Sequence, residues 1–242
     1  FGILIIVTPV LHLTKTALYA EMQKSESVQF EVYESFLKDL SGSLPRFLWR
    51  IFIKGLIELK NFALDVGNAI YHVLSASAVL IGLFLGSWIA SKGLTQAIYG
   101  LGYVPGKMNP FATNSVPLAL SVYIFLHNWQ ASLATALSGV WLSVAPFTIL
   151  VLNGVILGVV SDLIPNKVML LAALVPHGVI EVPSFVLAGS AGIKLGVAFS
   201  RARRDHDQES TLEFHNVARQ TVYIAVSLAL LFFIAGLIES NV

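Results

Sequence analysis

The chain has 242 residues, 56% of them hydrophobic and only 12% charged, against about 25% charged in a soluble domain. A net charge of +1 and the lack of a Lys/Arg stripe interleaved with aromatics exclude nucleic acid as a partner. The absence of cysteine removes disulfides, thiolate-bound zinc and iron–sulfur clusters.

The chain opens at Phe1 without Met, and Ile3 to Leu13 reads as a candidate remnant of a signal-like segment. Residues 1–18 are apolar but carry Thr8, Pro9, His12 and Lys15. They are a candidate first span, with a packed or interfacial helix as the alternative. Glu21, Lys24, Glu26, Glu31, Glu34, Lys38 and Asp39 mark a solvated helix, ended by Ser41-Gly42-Ser43 and restarted near Pro45. From Phe47 to Phe62, Arg50, Lys54, Glu58 and Lys60 are set among aromatics and aliphatics. That pattern predicts an amphipathic helix at a headgroup surface, or a core helix with a polar face.

Beyond this point long stretches carry no charge. Val66 to Ser91, Met108 to Ser161 and Gln220 to Ile238 contain no Asp, Glu, Lys or Arg. At about 1.5 Å rise per residue, the middle stretch suffices for two crossings of a core about 30 Å thick. These runs are continuously apolar rather than alternating, which predicts helices and not barrel strands. The predicted spans are 70–91, 115–138, 142–160, 168–198 and 218–239, with 1–18 as the sixth. Residues 92–114, rich in Gly and Pro, are expected to form an irregular loop or a short interfacial segment. Residues 199–217 are expected to be a charged, solvated connection. Two parts follow: an N-terminal segment 1–69 and a transmembrane bundle 70–242. With 168–198 as one crossing, Lys24, Lys38, Arg46, Arg50, Lys54, Lys60, Arg201, Arg203 and Arg204 fall on one side and Lys92, Lys107 and Lys167 on the other. The first side is therefore expected to be cytoplasmic.

Polar residues where lipid should be carry most of the chemical information. His177 and Glu181, four apart, share one helical face, and Pro176 and Pro183 bracket them, which predicts a broken helix there. A carboxylate at such depth costs about 2.5–3.5 kcal/mol if it faces lipid, so it is expected to face other helices. Three readings stay open. His177 and Glu181 are candidate metal ligands, with a further ligand such as His127. Glu181, His177 and Glu239 are alternatively titrating stations on a proton or ion pathway. In the third reading they hydrogen-bond with Asn128 and Asn153 and hold helices together. The predicted buried cluster is thus His127, Asn128, Asn153, His177, Glu181 and Glu239. Gly82 and Gly86, Gly154 and Gly158, and Gly192 and Gly196 are G-x-x-x-G pairs, candidate helix contacts and a candidate homodimer face. No nucleophile elbow, Walker loop or dinucleotide fingerprint occurs. No catalytic residue and no cofactor are expected.

F-L-H-N (125–128), N-G-x-x-L-G (153–158), P-H-G-x-x-E-x-P (176–183), A-G-x-x-x-G (191–196) and the closing I-E (238–239) occur in order. In this combination, over roughly 74–240, the sequence resembles the stage II sporulation protein M family. His127 departs from the pattern, which carries a more general polar residue there, so no ligand role passes to it. The resemblance implies a multi-span, non-enzymatic membrane protein. It also implies a scaffold or complex component, because sporulation members help assemble a complex with peptidoglycan-degrading partners. The expectation is therefore an all-α polytopic bundle of five or six spans in the cell membrane, with lipid and other membrane or envelope proteins as partners. A channel or transporter using the buried cluster is the alternative, and an intramembrane metal-dependent hydrolase is the third.

Overall fold

A computed structural model describes residues 44–100, 117–141, 143–164, 166–205 and 207–240. The candidate span 1–18 and the solvated helix after it lie outside the described residues. Among those described, all regular structure is helical and no strand occurs, so the predicted all-α bundle is found.

Helix α1, Leu44–Leu64, buries Gly55, Leu59 and Phe62, which recur at helical spacing on one face. Leu59 and Phe62 pack into the central core with Ile224, Leu228 and Phe232. The predicted amphipathic helix exists, but its buried face meets another helix, while Trp49, Ile53 and Ile57 stay exposed on the other side. Asp65 ends α1 and accepts from the Gly67 backbone N–H at 2.9 Å. The buried Asn68 then donates to the Phe62 carbonyl and to Asp65, both at 3.1 Å, closing a 3-10 turn that redirects the chain.

Helix α2, Ala69–Ile89, continues through a π turn, Ala90–Leu94, into the short α3, Thr95–Gly100. The expected loop from residue 92 is thus helical as far as 100, and 101–116 lie outside the described residues. Gly93 makes the join with φ of 106°, a left-handed conformation that costs glycine little. Thr95 donates to Asp162 at 2.8 Å and ties this join to the end of α5.

Helices α4, Pro117–Leu137, and α5, Val144–Leu163, follow, and then α6, Lys167–Asp205, with 39 residues. The break predicted around Pro176–Pro183 is not there: α6 runs through both prolines. Each proline removes a single N–H from the ladder, and packed neighbours tolerate that loss inside transmembrane helices. Helix α7, Gln208–Glu239, starts at Asp207, which accepts from the Ser210 backbone N–H at 2.7 Å. The connection expected over 199–217 is therefore a helical hairpin. Phe199, Ala202, Phe214 and Val217 form a second apolar core there, and that buried stripe keeps both helices wound while Arg201, Arg203, Arg204 and Glu213 stay exposed.

Among the described residues, four helical stretches are long and apolar enough to cross a membrane: Val66–Ile98, Val144–Leu163, Leu174–Asp205 and Gln208–Glu239. Helix α4 has 21 residues but falls outside these four, because Ser121, His127, Asn128, Gln130, Ser132 and Thr135 dilute its apolar character. Its small buried residues, Ala131, Ala134 and Ala136, pack it against α6 and α7.

Glycines set the closest approaches. A Cβ on Gly82 would lie 2.0 Å from the Val151 carbonyl, and one on Gly86 would lie 2.1 Å from that of Val155. Gly154 and Gly158 face back toward Gly82 and Gly86, so α2 and α5 run parallel with backbones touching. Gly192 and Gly196 admit the end of α4 and the turn after it, at Thr135 and Gly139. All three G-x-x-x-G pairs are spent on packing within the chain, and a homodimer would need another surface.

Candidate functional site

His177 and Glu181 stand one turn apart on α6, and Glu239 is the last residue of α7. Ligand atoms of the three lie within 4.8 Å of one another. Asn128 of α4 donates to Glu181 Oε1 at 2.6 Å, so three helices converge on one carboxylate. Ser121, near the start of α4, meets Ser240 just past the end of α7. The cluster therefore sits at the middle of α4 and the end of α7, against the flank of an α6 that continues to Lys167. All four side chains are half-buried, and His177 Nδ1 is buried with no hydrogen-bond partner.

Two carboxylates this close repel unless a proton or a cation lies between them. A buried ring nitrogen without a partner also costs energy until something satisfies it. The geometry can therefore hold a proton or a metal ion.

Asn153 donates to its own helix, at the Ile149 carbonyl 3.0 Å away. It reaches the cluster through a cavity of about 610 Å³ between α5 and α6, whose lining includes Asn153, His177 and Glu181. The other walls are apolar, among them Leu150, Leu157 and Phe185. Ile156, Val160, Val175 and Val179 on its border are exposed, so the cavity opens on an apolar flank. His127 is placed elsewhere: it stacks on Tyr123 of its own helix, with ring centroids 6.2 Å apart.

A second polar group was not singled out by sequence. His72 bonds to Ser190 at 2.9 Å and to the Phe62 carbonyl at 3.2 Å. Lys194 donates to Gln220 at 3.3 Å, and Gln220 donates to Glu58 at 3.0 Å. Lys194 also lies over the Phe62 ring. The signal was available, since Lys194 is the lone lysine or arginine between 168 and 200, and an ionisable residue inside a span is a site by default. Between the two polar groups lie Ala188, Leu228 and Phe232, all fully buried in the central core.

The Asn128–Glu181 bond can be weighed by a double-mutant cycle. Asn128→Ala, Glu181→Ala and the pair, unfolded from mixed micelles, are expected to give a coupling of about 0.6–1.7 kcal/mol, the range for hydrogen bonds between transmembrane helices. A coupling of zero would mean that the two side chains do not meet.

The family model described as stage II sporulation protein M matches residues 75–242, and the chain belongs to that family. No curated protein and no solved structure matches it significantly. The matched region takes in α4 to α7, the whole cluster and most of α2. With four membrane-capable helices among the described residues, it is a membrane protein.

Proposed function

Proceeding from membership in the stage II sporulation protein M family, we propose that this protein is a non-enzymatic scaffold of the cell membrane that gathers other membrane or envelope proteins into a complex. The observation that supports this reading is the apolar core: among the described residues, Leu228 and Phe232, fully buried, stand between the His177/Glu181/Glu239 cluster and the His72/Lys194/Gln220 group. Transport needs a connected polar route across the bilayer, whereas a scaffold needs a rigid body. The contacts of α2 with α5 at Gly82 and Gly86, where a Cβ would strike backbone, suit the second requirement, because such interfaces admit little sliding.

One observation favours a transporter as the second reading: the cavity between α5 and α6 reaches His177 and Glu181. Reconstitution separates the two. Liposomes carrying the purified protein and loaded with a pH-sensitive dye are expected to leak protons no faster than empty ones. Flux that Glu181→Gln abolishes while the protein stays folded would replace the scaffold with a transporter. A tagged chain cross-linked in native membranes is expected to bring down the same envelope partner in repeated preparations. Failure to do so under several cross-linking chemistries would count against the scaffold.

A further inference from the structure

We propose that His177, Glu181 and Glu239 bind one divalent first-row cation, zinc or manganese, that clamps the end of α7 to the flank of α6. The inference stands apart from the scaffold reading, since a structural ion suits a scaffold, a transporter or an enzyme equally.

Four features point the same way. The donors are one imidazole and two carboxylates, a mixed N/O set that such cations accept without thiolate. Their ligand atoms lie within 4.8 Å of one another. Metal–ligand bonds of about 2.0–2.2 Å place tetrahedral ligands about 3.4 Å apart, so modest rotations of the two long Glu side chains close the site. A divalent charge balances both carboxylates, leaving a neutral centre in an apolar setting where unbalanced charge is costly. Independently of the acids, His177 Nδ1 is buried with no hydrogen-bond partner, although ring nitrogens at such depth normally have one.

Asn128 completes the arrangement from outside. Its amide donates to Glu181 Oε1 at 2.6 Å, fixing the carboxylate as outer-shell partners fix metal ligands. Three protein ligands leave a further coordination position for water. The i, i+4 spacing on α6 supplied only His177 and Glu181, and the further ligand expected from sequence was His127, on a neighbouring span. The fold supplies Glu239 instead, a residue 58 positions along the chain from Glu181 by their numbers, brought back by the α6–α7 hairpin.

The test uses the whole purified protein in detergent. After chelation and dialysis, zinc or manganese is added, unbound ion is removed, and bound metal is counted by mass spectrometry alongside thermal unfolding. Wild type is expected to keep one ion per chain and to melt at higher temperature when loaded than when chelated. Glu239→Gln and His177→Gln, close in size to the residues they replace, are expected to lose both the ion and the metal-dependent rise. Asn128→Ala is expected to bind about 10–100-fold more weakly. His127→Ala, outside the cluster, is expected to bind as wild type does. Folded wild type that retains no ion, or equal retention by the two ligand variants, overturns the proposal and leaves a shared proton between the carboxylates. Should the ligand variants not fold, the wild-type comparison decides: identical melting of loaded and chelated protein also overturns it.

Discussion

Gly82→Ala is expected to destabilise the bundle by about 1–3 kcal/mol or more, the cost of overpacking a filled interface. The new Cβ would lie 2.0 Å from the Val151 carbonyl oxygen and 2.9 Å from the Gly154 Cα. Both obstacles are backbone, so no side-chain rotation relieves them, and α5 would have to move away along its length. That movement pulls Gly158 off Gly86 and draws on the contacts that α5 makes with α6. Gly178→Ala is the internal control, since its nearest neighbour would be the Leu174 side chain at 3.8 Å. It is expected to stay within about 0.5 kcal/mol of wild type, or to gain slightly from alanine's better helix propensity. Thermal unfolding in detergent reads both. If Gly82→Ala melts with wild type, α2 and α5 do not touch backbone to backbone.

Phe232→Ala is expected to cost more, about 3–5 kcal/mol, as for other fully buried aromatic truncations. Phe232 has no exposed surface. It meets Phe185 edge to face at 5.0 Å between centroids and joins α1, α6 and α7 in one core through Leu59, Phe62, Ala188 and Leu228. Truncation leaves a void among groups from three helices, which cannot all collapse into it. Phe84, 71% exposed, faces outward, and Phe84→Ala is expected to stay within about 0.5 kcal/mol of wild type. Equal melting of the two variants would show that Phe232 is not the centre of the core. The same substitution probes function, because the ring stands between the two polar groups. If this apolar core is what prevents passage, liposomes carrying any Phe232→Ala protein that still folds should leak protons faster than those carrying wild type.

Much of the architecture was legible because its determinants are local. Continuous uncharged runs placed α2, α4, α5 and α7, and each of the five spans predicted after residue 69 overlaps a helix. Ends were less legible. The charged stretch after Arg201 looked like a loop because its exposed residues are numerous, yet Phe199, Ala202, Phe214 and Val217 bury a stripe that sustains both helices. Pro176 and Pro183 suggested a break because proline lacks a donor, but the loss of single rungs did not outweigh the packing of a 39-residue helix.

Within the candidate site, the i, i+4 spacing of His177 and Glu181 was visible on the page of the sequence, and so was the oddity of polar groups inside apolar runs. Which of them meet was not visible, since that depends on the rotation and register of helices far apart in the chain. Asn128 reaches Glu181 while its neighbour His127 turns to Tyr123, a difference of one position and about 100° around α4.

Composition and hydropathy by themselves determined that this protein is a helical membrane protein, because the energy of burying uncharged runs in lipid depends only on what those runs contain. Only the tertiary structure decided that the glycine pairs serve contacts inside the chain. It alone brought Glu239 to His177 and Glu181, and it alone placed Phe232 between two polar groups. Those outcomes rest on the packing of one helix surface into another, and no stretch of sequence carries its partner's shape.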